Sequence, residues 1–190
     1  MKPIGYLLNR KEGLEGEAGL FFDYLLAENG LFIRSRNPLI EAMICISPIE
    51  IRGLSPLTER VELAHGKIPR CLYDLAVSVL MAGSDREQYL AITWEIGYHL
   101  REPVQTRSGA SVEYEKLPNS VMDIHSHGSM KAFFSVTDNM DEQGLRLYMV
   151  VGRLDTLLPE VELRLGVYGY FAPLEIIEEV FDVPTKQRIF

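Results

Sequence analysis

Two histidines, a serine and an aspartate stand at a spacing that suits a hydrolytic metal centre. They are His125-Ser126-His127, then seven residues, then Ser135, two residues, and Asp138. Zinc in a hydrolase takes three nitrogen or oxygen ligands and leaves one position open. His125, His127 and Asp138 would supply two neutral imidazoles and a carboxylate. A metal held in this way lowers the pKa of bound water to about 7. A carboxylate must then take the proton and deliver it to the leaving amine. A hydroxyl or amide must stabilise the oxyanion, and Ser135 is placed to be that donor. Each piece alone has a plainer reading. A His-x-His on a strand can be two ordinary polar neighbours. Ser135-x-x-Asp138 matches a helix N-cap, and the two roles are compatible because a helix start fixes both side chains. Only the conjunction points to a metal.

The elements that must position these residues follow from periodicity. Val121 to His127 reads as a central strand, with Met122 and Ile124 on one face and Asp123, His125 and His127 on the other. Ser135 to Gln143 reads as a short helix closed by Gly144, with Asp141 and Glu142 favouring its N-terminal half through the helix dipole. Before them, Pro69 opens a helix whose buried face holds Ile68, Leu72, Leu75, Val79 and Leu80, widened by Cys71 and Ala76. Tyr89 to Leu100 reads as one long strand. Ser108-Gly109 marks a turn and Val112 to Leu117 a short strand. After the motif, Leu145 to Val151 and Val161 to Val167 read as strands. Pro173 opens a last helix that buries Ile176, Ile177, Val180 and Phe181.

Residues 1–60 read as a β-rich extension, and residues 61–190 as the domain that carries the motif. In the extension, Phe22 to Leu26 and Leu31 to Ile33 flank Ala27-Glu28-Asn29-Gly30. Asn-Gly is a hairpin turn signal because both residues tolerate positive φ. Leu39 to Ile46 is a further strand, and Ile49 and Ile51 mark a short one. The order of elements from about residue 62 predicts an α/β (α+β) domain.

Composition narrows the function classes. The formal charge of −8 over 190 residues argues against a nucleic-acid partner. No apolar run reaches the length of a membrane span, and the N-terminus lacks the features of a signal peptide. Two cysteines, Cys45 and Cys71, suggest no disulfide framework; both read as small buried apolar residues, which suits the cytoplasm. His65 and His99 have no partner at ligand spacing.

The run HSHGSMKAFFSVTD resembles the motif of the JAMM/MPN (JAB) zinc metallopeptidases, complete at its four positions, with similar element order over roughly residues 65–170. That family hydrolyses the bond after the C-terminal tail of ubiquitin or a ubiquitin-like protein. The resemblance implies a β-sheet sandwiched by helices, and Zn2+ held by His125, His127 and Asp138, with Ser135 supporting the oxyanion. It also implies a glutamate base at the end of the first helix segment, leading into a strand. Glu87 fits that place, with Leu90 where the family usually has glycine. Glu95 is the alternative, and Glu113 and Glu115 are weaker ones. Ser84-x-x-Glu87 also matches a capping box. A narrower resemblance is to the bacterial PRTRC system protein A group, through the Asn-Gly turn, Arg52-Gly53-Leu54 and the Ala-Phe-Phe-Ser run before the aspartate. It implies a ThiF-like (E1-like) activating enzyme and a ubiquitin-like protein as partners. The competing expectation is a non-catalytic scaffold of the same fold.

Overall fold

The computed structural model describes residues 2–84, 86–107, 112–114, 117–174 and 177–182. The expected turn at Ser108-Gly109, the carboxylates of Glu113 and Glu115 and the side chains of Ile176 and Ile177 lie outside that set. The chain divides into two compact units. The first comprises residues 1–65, 143–145 and 166–172, and the second residues 66–142, 146–165 and 173–190.

The first unit is built on six strands: β1 (Ile4–Arg10), β2 (Gly13–Glu17), β3 (Phe22–Ala27), β4 (Gly30–Arg36), β5 (Ile40–Ser47) and β6 (Arg60–Leu63). They form one sheet in the order β2-β1-β3-β4-β5-β6, with β1 parallel to β3. Leu7, Leu25, Ala27 and Phe32 form an apolar cluster against which Met43, Cys45 and Leu57 pack. The hairpin between β3 and β4 pairs Ala27 with Gly30, so Glu28 and Asn29 are its two turn residues. Neither has positive φ; of the Asn-Gly pair only Gly30 does, at +158. Asn29 serves otherwise: its side-chain amide bonds both the N–H and the carbonyl of Leu57. That clamp holds the segment after β5, where the expected strand at Ile49 and Ile51 is irregular chain.

The second unit begins with β7 (Ile68–Pro69) and α1 (Arg70–Ala82). Ala76 and Leu80 are buried on α1, while Cys71 and half of Leu75 are exposed. The reason is geometric. Leu72, Ala76 and Leu80 form one i, i+4 row, whereas Cys71 and Leu75 lie on the neighbouring row that turns outward. Cys71 is therefore not the buried apolar residue expected, and Cys45 is only partly covered. The expected long strand at residues 89–100 is a hairpin instead. β8 (Tyr89–Trp94) and β9 (Tyr98–Arg101) pair antiparallel around Glu95-Ile96-Gly97, with the Trp94 and Tyr98 rings 4.8 Å apart. β10 (Gln105–Arg107) and β11 (Val112–Tyr114) form a small ribbon. β12 (Ser120–Ser126), α2 (Val136–Asp141), β13 (Leu145–Gly152) and β14 (Glu160–Val167) follow, then, after β15 (Tyr170–Pro173), which falls almost wholly in the first unit, α3 (Ile177–Val180) and β16 (Phe181–Asp182). Within this unit the main sheet runs β14-β13-β12-β8-β9.

The expected α/β (α+β) sheet sandwiched by helices is overturned. The described chain is mostly strand and forms a β-rich fold. Among the described residues only α1 exceeds two helical turns, since α2 has six residues and α3 four. Among its described residues the first unit has a six-stranded sheet and no helix. The last helix is cut short because Phe181 leaves it to pair with Ile68, where both side chains are buried. No helix among the described residues is long and apolar enough to cross a membrane.

Candidate metal centre

β12 lies between two partners, antiparallel to β8 and parallel to β13. Its residues from Val121 to Ile124 are all buried, so both faces are covered, not one as alternation suggested. Asp123, on the histidine side of the strand, accepts bonds from Ser120 and Arg146, each at 2.6 Å. His125 lies near the strand end and His127 just past it, where the His127 N–H still donates to the Val151 carbonyl. Alternation along the strand puts both imidazoles on one side.

The chain then turns at Gly128, whose φ of +55 suits glycine. Backbone bonds from Leu154 to Gly128 and from Arg153 to Met130 tie this loop to the end of β13. The loop passes so close to Gly152 that an added Cβ would stand 2.3 Å from the Ala132 nitrogen. Gly152→Ala is therefore expected to push the loop outward, costing about 1–3 kcal/mol of stability. Thermal unfolding of the variant checks this, and an unchanged midpoint would contradict it.

Ser135 is the N-cap of α2. Its hydroxyl accepts from the Asp138 N–H at 3.1 Å, and its own N–H donates to Asp138 Oδ2 at 2.5 Å. The capping box thus occupies one carboxylate oxygen of Asp138. The other, Oδ1, stands 3.5 Å from His125 Nε2. The cap uses one oxygen and leaves Oδ1 facing His125, so the cap is compatible with the expected ligand role. Because the Ser135 oxygen accepts in the cap, its proton remains to donate elsewhere.

His125, His127 and Asp138 bring one ligand-type atom each to within 4.8 Å of one another. Two observations test whether they fit a cation. His125 Nε2 and His127 Nδ1 are buried with no hydrogen-bond partner among the described residues. A buried polar atom left so costs about 1–3 kcal/mol, which a bound cation would relieve. Burial also pushes the His125 imidazole down to about 4, with Asp138 opposing and His127 and Arg164 adding to the shift. Neutral imidazole is the form that binds metal. The donor set of two nitrogens and one carboxylate oxygen suits zinc.

The His125 shift has a consequence for the metal-free protein. Between about 4 and 6.5 the unfolded chain binds a proton at His125 that the folded chain does not. Stability from this group is therefore complete above pH 6.5 and falls as the pH drops towards 4. Thermal unfolding of metal-stripped protein across that range is expected to show the loss, reduced in His125→Asn. An equal pH dependence in both proteins would contradict it.

Glu87 leads directly into β8, with no helix after it, so the capping-box reading of Ser84 and Glu87 does not hold. Tyr89 pairs with His125 in an antiparallel register. Just beyond that pair the Ser126 N–H donates to the Gln88 carbonyl, and the Gln88 N–H donates to the Ser126 hydroxyl, both at 3.0 Å. Glu87 lies two residues before Tyr89 in the chain, near enough to His127 and Asp138 to feel both charges. Its carboxyl is held above the usual range by burial and by Asp138, while His127 pulls it down. Glu95 is at the other end of β8, in the hairpin turn, and pairs with Arg101.

Three contributors escaped the sequence argument. Phe133 stands edge-on to the His127 ring, centroids 4.6 Å apart. Glu142 does not favour the start of α2; it is the C-cap, buried and paired with Arg164. Arg164 itself is buried on β14, where alternation with Leu163 and Leu165 implied an outward side chain. A usable signal existed: acidic residues at the end of a short helix oppose its dipole and call for a nearby cation. A scan against protein-family models and a search of curated proteins each gave no match.

Proposed function

We propose that this protein is a zinc-dependent peptidase or isopeptidase of the JAMM/MPN type, acting on the bond after the C-terminal tail of a ubiquitin-like protein. The observation that carries the reading is the meeting of His125, His127 and Asp138 from a strand end and a helix start, with buried, unpartnered imidazole nitrogens. Zinc, when bound there, supplies a Lewis acid that activates water and polarises a carbonyl. The chain's own residues supply the rest. Glu87, with its raised pKa, accepts a proton from the attacking water and returns it to the leaving nitrogen. Ser135 donates its free proton to the developing oxyanion. Burial keeps His125 neutral, so it is ready to bind metal without first losing a proton. The proposed partners are a ubiquitin-like protein or its conjugate as substrate and a ThiF-like activating enzyme, and the proposed compartment is the cytoplasm.

The test is incubation of zinc-loaded protein with a ubiquitin-like protein that carries extra residues after its diglycine. Mass spectrometry should detect a product ending at the diglycine, lost on chelation. Stable binding of that protein without cleavage would instead favour the scaffold.

A further inference from the structure

Asp138 sits on a helix that cannot hold itself in place. α2 has six residues and buries none of them. A helix of that length has no stability of its own in water. Its capping box fixes Asp138 relative to Ser135, which leaves open what fixes the pair relative to the histidines.

Arg164 meets that need from a different strand. Its guanidinium carbon lies 3.7 Å from the centre of the Phe134 ring, the residue just before the N-cap. Nη1 donates to Asn139 Oδ1 at 2.6 Å, the residue after Asp138. Nε donates to Glu142 Oε2 at 2.9 Å, and Nη2 donates to the same oxygen. One planar group therefore holds the residue before the N-cap of α2, a residue within the helix and its C-cap. A guanidinium is a rigid fork, so these contacts fix direction as well as distance. Arg164 and Glu142 are both buried, at 6% exposure each. Replacing such a pair by apolar residues is often neutral for stability, so stability by itself does not explain its presence.

We infer that Arg164 is a positioning residue of the metal centre, setting Asp138 against His125 and His127 through α2 without touching the metal. The inference rests on the metal-site reading above.

The test measures zinc affinity by competition with a chromophoric chelator, and the visible absorption of cobalt-loaded protein. Arg164→Met is compared with the natural chain and with Arg34→Met. The latter breaks the Arg34–Asp23 ion pair in the first unit and serves as a control for general damage. Arg164→Met is expected to bind zinc about 10- to 100-fold more weakly and to change the cobalt spectrum. Arg34→Met should leave both unchanged. Arg164→Lys, which keeps the charge and loses the fork, should fall between. Should Arg164→Met not fold, Asn139→Ala removes one of the fork's bonds at an exposed position, with an expected loss of about 3- to 10-fold. Natural affinity and spectrum in the folded Arg164→Met chain, or in Asn139→Ala where that chain does not fold, would overturn the positioning role and leave the metal site standing. Equal losses in Arg164→Met and Arg34→Met would also overturn it. Absence of zinc binding in the natural chain would overturn both readings together.

Discussion

Glu87→Gln is expected to keep a full complement of zinc while turnover falls by about 10²- to 10⁴-fold, the usual contribution of a general acid–base. Glutamine keeps the size and hydrogen-bonding reach of the side chain and removes its ability to take a proton. Glu87 is not one of the three grouped ligand residues, so metal binding has no need of it. Its position is independent of any motif, because it precedes β8 and lies near enough to His127 and Asp138 to feel both charges. The raised pKa moves the carboxyl towards the working pH, which favours a base that must also act as an acid. The measurement is zinc content together with the rate of tail cleavage. Zinc lost along with activity would make Glu87 a ligand, and retained turnover would move the base to another carboxylate. Glu95→Gln is the matched control, since that residue lies in the turn at the far end of β8 and pairs with Arg101.

His127→Ala and Asp138→Asn are expected to lose stoichiometric zinc and, with it, all cleavage. The two substitutions fail for different reasons. His127→Ala removes a ligand nitrogen and leaves space beside the edge-on Phe133 ring. Asp138→Asn keeps an oxygen for the Ser135 N–H, so the capping box survives while the ligand charge is lost. A drop in zinc content with the helix intact then isolates the role as ligand. Chelation gives a second readout. A metal that binds only the folded chain stabilises it by about 2.7 kcal/mol at a hundredfold excess over its Kd. The thermal midpoint of the natural chain should therefore fall on chelation, and those of both variants should not. Zinc retained at full occupancy by either variant would remove that residue from the ligand set.

The residues of the site were legible because ligand chemistry is carried by side-chain type and short spacing. Two imidazoles on alternate strand positions face one way whatever the strand packs against, and Ser-x-x-Asp makes the same cap at any helix start. The hydrophobic pattern was less informative where both faces of a strand are covered. β12 and β14 alternate in sequence, yet Asp123 and Arg164 are buried with the apolar residues beside them. The expected long strand at residues 89–100 failed for a related reason. β-Branched and aromatic residues continue through the turn, so nothing but Gly97 announced the hairpin. The fold class differs because helical spacing at residues 135–143 and after Pro173 ends in helices of only six and four residues, which leaves strands to dominate. Phe181, apolar at a helical position, found a strand partner in Ile68 instead.

By itself, then, the sequence determined the ligand-type residues, the strand end and helix start that carry them, and the cap that fixes Asp138. Each depends on contacts within a few residues, which local geometry sets. Tertiary structure alone decided that the two halves meet within 4.8 Å, that Glu87 comes near His127 and Asp138, and that Arg164 backs α2 from β14. Those relations join residues 11 to 40 positions apart. Sheet register and a buried guanidinium settle them, and neither leaves a periodic trace in the chain.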